Sequence, residues 1–171
     1  MAGAVTGSAS GSGCRPVAET CRPERLETPL GQESADYISK LIAALDHPEP
    51  ETPVRAAWIL GELREPRAVV PLMGLVGRSA DPYILEAAVE ALGKIGDPGA
   101  ISILVQVLGS SFLLVRQKAA EALGRLGGEE AQKALRMALA DPSPSVRETA
   151  SGALRQLDQR GQLPLGTERP C

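Results

Sequence analysis

An alanine-rich phrase of six residues recurs along this chain at nearly constant spacing. Ala56-Ala57-Trp58-Ile59-Leu60-Gly61 returns as Ala88-Val89-Glu90-Ala91-Leu92-Gly93 and as Ala119-Ala120-Glu121-Ala122-Leu123-Gly124. A worn copy, Ala150-Ser151-Gly152-Ala153-Leu154-Arg155, closes the series, and the intervals are 32, 31 and 31 residues. A period this short predicts stacked repeats, in which each unit buries its apolar side only against its neighbours. Such an architecture argues against most enzymes.

Two helical patterns alternate within the period. In the first, helix A, Val115, Ala119, Ala122, Leu123 and Leu126 share one face, and Val146, Ala150, Ala153, Leu154 and Leu157 repeat that spacing. Small alanines at two of these positions let a neighbouring helix approach closely. Gly61, Gly93 and Gly124 fall on the opposite face and are expected where no side chain is demanded. The second pattern, helix B, follows turns at Glu65-Pro66, Asp97-Pro98 and Gly127-Gly128. Proline suits a helix start because its missing N–H had no partner there. Leu41, Leu72, Leu104 and Leu135 then align, as do Leu45, Val76, Leu108 and Leu139. One extra residue falls around Gly77–Pro82, where a loop absorbs it cheaply.

The repeats open with a B helix near 35–46 and end with an A helix near 144–158, giving four hairpins and eight helices. The predicted fold is all-α, a right-handed α-α superhelix of about four helical hairpins. Residues 1–33 are rich in Gly, Ser, Pro, Thr and Glu, too polar to offset the entropy of ordering, and are expected to be disordered. The repeat domain is placed at 34–158, with a flexible tail at 159–171.

Composition narrows the function classes. Aromatic residues make up 2% of the chain, so Ala, Leu, Val and Ile must do the packing. A net charge of -3 gives no electrostatic reason to expect nucleic acid or an anionic membrane as partner. No stretch approaches the roughly 18 apolar residues of a spanning helix. Met1 to Gly13 lacks both a basic residue and an apolar run, so a secretory signal is not expected and a cytoplasmic location is. Cys14, Cys21 and Cys171 lie outside the repeats with no histidine beside them, and are expected as free thiols rather than zinc ligands. With no Ser/His/Asp set, phosphate loop or metal-ligand cluster, no catalytic, cofactor or metal residue is expected.

The sequence Val115-Arg116-x-x-Ala119-Ala120-x-Ala122-Leu123-Gly124, followed by Glu129, Ala131 and Leu135, resembles the short HEAT-like repeat of phycobilisome lyase subunits. Asp141-Pro142-Ser143-Pro144-Ser145-Val146-Arg147 resembles its inter-repeat loop, and the likeness covers 34–158. It implies a helical solenoid and leaves function open, because the repeated residues are the packing residues. Deoxyhypusine hydroxylases of this fold use several His-Glu pairs, whereas this chain has one histidine, His47. DNA glycosylases of this fold line a face with basic and aromatic residues, which has no counterpart here. The expected function is a non-catalytic adaptor or scaffold, a semi-rigid superhelix that binds another protein through an apolar concave groove or loop edge, with a chromophore-lyase subunit as the alternative.

Three features are candidate partner-binding sites. The first is the outward row of the B helices, Val70, Ser102, Gln106, Lys133 and Met137, flanked by small residues such as Ser39, Ala43 and Gly74 on the expected concave face. The charges concentrate instead on helix A, which is expected to be a solvated face. The second is a loop edge where Phe112, Leu113 and Leu114 replace polar turn residues, with Tyr83 at the matching place one repeat earlier. Together these four predict an apolar strip. The third is Trp58, the only tryptophan, whose counterparts are Glu90, Glu121 and Gly152. It is either a partner anchor or a residue covered by Leu26 or Leu30. Arg116 and Arg147 are expected to pair with Asp81 and Asp141 between repeats. The last A helix has no following B helix, so Leu154 and Leu157 are expected on an open face suited to self-association.

Overall fold

The computed structural model describes residues 30–161, with side chains from Asp36 onward. The expectations for the N-terminal tail before Leu30, its cysteines and Leu26, and for Cys171, lie outside the described residues. Eight α-helices follow one another: α1 (Leu30–Ala44), α2 (Glu51–Glu62), α3 (Val69–Arg78), α4 (Pro82–Ile95), α5 (Ile101–Val107), α6 (Leu113–Leu126), α7 (Gly128–Ala138) and α8 (Pro144–Gly161). Among the described residues there is no strand, and the chain is an all-α solenoid of four hairpins. The first helix starts at Leu30 rather than 35, and the last runs to Gly161 rather than 158.

Odd-numbered helices form the B layer and even-numbered helices the A layer. One apolar core runs the length of the stack. Leu60, Leu92 and Leu123 of the A helices and Leu72, Leu104 and Leu135 of the B helices are fully buried in it. No described residue with a polar or charged side chain is buried. The core therefore carries no unpaired polar group, which would oppose folding.

Local chemistry sets the turns. His47, Ser79, Ser110 and Asp141 stand at one repeated position, and each side chain accepts the backbone N–H two residues on. These side-chain turns favour the reversal from B helix to A helix. His47 thus has a turn-forming role: its Nδ1 accepts from Glu49 N at 3.2 Å. From A to B, the Glu65 and Asp97 carboxylates cap short 3-10 turns begun by Pro66 and Pro98. The third such turn uses Gly127 and Gly128 at φ 73° and 88°, a conformation glycine adopts without strain.

The recurrent glycines correct the sequence expectation. Gly61, Gly93 and Gly124 are buried between successive A helices, not left on an undemanding face. A methyl group at Gly61 would sit 2.8 Å from the Ala91 Cα. At Gly93 it would lie 2.7 Å from the Ala122 Cβ, and at Gly124 2.6 Å from the Ala153 Cβ. Each glycine therefore receives the alanine of the next repeat, and this glycine-to-alanine step sets the spacing of the A layer. In α8 the exposed Arg155 occupies the glycine position.

The C-terminal end differs from expectation as well. Leu157 is buried, and Leu154 is half-buried against the core. α8 lies against both α6 and α7, so Leu157 is closed off and Leu154 keeps only part of its surface open. Arg160 reaches back to the Gly124 and Arg125 carbonyls and satisfies acceptors at the end of α6.

Candidate functional site

The A-helix glycines place two unusual side chains in one groove. Helix α2 carries Trp58 one turn before Gly61, on the outer side, and helix α4 begins at Pro82 with Tyr83 as its second residue. Asp81 caps that start, its Oδ1 accepting from Tyr83 N at 2.8 Å and Ile84 N at 3.4 Å. Trp58 is 57% exposed and Tyr83 72% exposed. Both line a groove of about 310 Å³ between α2 and α4, whose walls include Val54, Ala87 and Ala91. It continues past Tyr83 toward Pro50, Glu51 and Asp81 at the helix N-termini.

Sequence reasoning assigned Trp58 and Tyr83 to separate features. It missed that they share a groove, and it overlooked Val54 and Ala87 altogether. The signal was present: at the Ala87 position the next two repeats carry Lys118 and Thr149, and at the Val54 position they carry Glu86 and Gln117. Phe112, Leu113 and Leu114 are all exposed at the start of α6 but lie outside this groove. Phe112 ends as the N-cap residue of α6 and offers no side-chain cap, whereas Asp81 does so for α4.

Charge on the A layer is organised across repeats and is more than a solvated face. Lys94 bridges Glu62 of α2 and Glu90 of its own helix, both at 2.7 Å. Lys118 of α6 continues the series to Glu90 at 3.2 Å and Glu121 at 3.6 Å. The Lys94 ammonium holds the Glu90 carboxyl below the usual carboxylate range, and Lys118 adds to this. The hydrogen bonds that Lys94 donates to Glu62 and then to Glu90 raise it above the ordinary lysine value. Glu90 and Lys94 of this ladder line the α2–α4 groove, and each is paired there. Among the described residues, Glu86 and Arg55 on the groove walls have no partner at ion-pair distance.

At the loop edge one of the expected inter-repeat pairs forms. Arg116 of α6 holds Asp141 through Nε at 2.9 Å and a terminal nitrogen at 3.2 Å. Its other terminal nitrogen donates to the Ser110 and Ser111 carbonyls. Arg147 instead binds the Asp141 and Pro142 carbonyls of its own loop, and Asp81 caps its own helix. The guanidinium of Arg116 holds the Asp141 carboxyl below its ordinary value.

On the B layer, Val70, Ser102, Gln106, Lys133 and Met137 are exposed, as are Ala43 and Gly74. Gln106 and Met137 come together in a groove of about 370 Å³ between α5 and α7 that includes Val105 and Ala134. Val70 and Ser102 lie outside it. Lys133 pairs with Glu129 one turn back at 2.8 Å. Among the described residues, no group of three or more His, Cys, Asp or Glu side chains is placed to hold a metal ion, and no helix is long and apolar enough to cross a membrane.

The sequence matches the family model for HEAT repeats over residues 38–114 and 103–165. The chain belongs to the HEAT-repeat family. Among solved structures, this HEAT-repeat protein is similar to human deoxyhypusine hydroxylase in complex with glycerol, at 28% identity and a TM-score of 0.66. That match covers 82% of this chain and 51% of the other. The complex of CpcE and CpcF of phycocyanin lyase from Nostoc sp. PCC7120 is similar at 25% identity and a TM-score of 0.50, over 71% of this chain and 65% of that one. A designed armadillo repeat protein in complex with the peptide (KR)4 shares the fold at 22% identity and a TM-score of 0.59, over 73% and 66%. The HEAT-repeat chain thus spans about half to two thirds of the length of these structures. No curated protein matches it.

Proposed function

We propose that this HEAT-repeat protein is a non-catalytic interaction module that docks a polypeptide segment of a partner along the α2–α4 groove. The observation that carries this reading is the convergence of Trp58 and Tyr83, both exposed, on one apolar-walled groove. Exposed aromatics are the side chains that most often dominate a protein interface. The repeat stack supports the reading, because it gives a semi-rigid surface that loses little entropy on binding. The loop-edge residues Phe112, Leu113 and Leu114, exposed at the start of α6, are a second candidate surface.

The test compares partner capture by wild type, by Trp58→Ser/Tyr83→Ser, and by Phe112→Ser/Leu113→Ser/Leu114→Ser, all with unchanged helicity. A protein retained by wild type and lost with the first variant is the expected result. Loss only with the second would move the site to the loop edge, and retention by both would move it to the Gln106–Met137 groove. The similarity to the CpcE–CpcF complex supports a second reading, a chromophore-lyase subunit. Bilin attachment by this chain with a paired subunit would favour that reading.

A further inference from the structure

The groove that holds Trp58 and Tyr83 is asymmetric in charge as well as apolar. Four carboxylates border its length, Glu51, Asp81, Glu86 and Glu90, against two cations, Arg55 and Lys94. Lys94 is already held by Glu62 and Glu90, and Glu90 is held by two lysines. Asp81 is turned to the N-terminus of α4. That leaves Glu86, half-buried on the α4 wall of the groove that Trp58 and Tyr83 line, with no ion pair at contact distance and only the longer-range field of Lys118 opposing its charge. Two aromatic faces and a carboxylate in one recess form the combination that attracts a planar cation: the rings take its face and the carboxylate its N–H groups. Between them, Val54, Ala87 and Ala91 offer an apolar floor.

We infer that the groove's occupant is a basic segment of another protein, with an arginine set against Trp58, Tyr83 and Glu86 and an apolar residue beside it on the floor. The inference rests on the docking reading above and narrows it to one partner chemistry. Arginine suits the site better than lysine, because its guanidinium is flat, stacks on aromatic rings and donates in a fork. Arg55 sits on the opposite wall and disfavours a uniformly basic filling, so arginine and apolar residues alternate in the fitting segment.

The experiment titrates the full chain with three capped peptides of alternating leucine and arginine, leucine and glutamine, or leucine and glutamate. Two signals are read: anisotropy of labelled peptide, and emission of Trp58, the single tryptophan. The expected result is a blue shift with the arginine peptide and binding several-fold weaker for the other two. Glu86→Gln should weaken the arginine peptide by roughly threefold, the scale of a partly exposed ion pair. Tyr83→Leu, which keeps the apolar wall, should weaken it as well. Equal binding of the glutamine peptide with the same Trp58 shift overturns the basic partner and leaves the docking groove standing. Arginine-peptide binding that ignores Glu86→Gln and leaves Trp58 unshifted also overturns it, as plain attraction to an acidic protein. Binding of none of the peptides overturns it too, and the docking groove is then judged by the capture variants alone.

Discussion

The α2–α4 groove and the α6–α8 groove share one floor and differ at the rim. In both, a buried glycine of one A helix receives an alanine of the next: Gly61 against Ala91, and Gly124 against Ala153. Above the first floor stand Trp58, Val54 and Tyr83. Above the second stand Glu121, Arg125, Thr149 and Gln156, with Gly152 where the first has Glu90. Between the two, the α4–α6 seam is bridged by Glu90 and Lys118. The repeat thus holds the backbone constant and leaves the outer positions free to vary. A protein of this kind acquires a site by changing rim residues without altering its packing. That is why the fold alone says little about partners.

The shared core gives the largest test of this comparison. Leu123→Ala should cost about 2–5 kcal/mol, because Leu123 is fully buried and the stack closes poorly over the void. Leu154→Ala, at the same place in α8 but half-buried, should cost clearly less. Denaturant unfolding measures both, and equal losses would mean that the terminal repeat is as enclosed as the internal ones.

The floor gives the next effect. Gly124→Ala should destabilise by about 1–2 kcal/mol, since the added methyl meets the Ala153 Cβ and the helices must separate. Gly152→Ala, with open space around it, should stabilise by about 0.5–1 kcal/mol through helix propensity. The opposite signs, read as shifts in thermal midpoint, separate a spacing glycine from an incidental one. A neutral Gly124→Ala would break the account of the floor.

The loop edge gives an effect of similar size and adds a pH dependence. Arg116 and Asp141 are 13% and 9% exposed, the most shielded ion pair among the described residues. Asp141→Asn should lower stability by about 1–2 kcal/mol at neutral pH. The Asp141 carboxyl is held below its ordinary value, chiefly by the hydrogen bond from Arg116. Its contribution is therefore complete above the unfolded carboxylate range and is lost as pH falls through the lowered folded value. The gap in Tm between wild type and variant should close under acid. A gap that stays constant to low pH would show that the interaction does not depend on the carboxylate charge.

The core side of each helix was legible in the sequence. Leu72, Leu104 and Leu135 repeat at 32 and 31 residues and are all fully buried. Periodicity reports which face of a helix is apolar, and burial follows from that. Leu157 is buried rather than open because α6 and α7 already cover it, and Leu154 stays partly exposed. The glycine positions were also visible as a pattern, but their meaning was not. A residue without a side chain looks the same to sequence whether it faces solvent or a helix in contact.

The sequence by itself determined the repeat, its length, the helix order and the leucine core, because these depend on residues near one another in the chain. Only the tertiary structure decided what lies between helices about 31 residues apart. It turned Gly61, Gly93 and Gly124 from blanks into spacers and joined Glu62, Lys94, Glu90 and Lys118 into one ladder. It also brought Trp58 and Tyr83 to one groove. The physical reason is that a side chain's neighbours across a helix interface depend on the approach and rotation of two helices, which the spacing along either one does not encode.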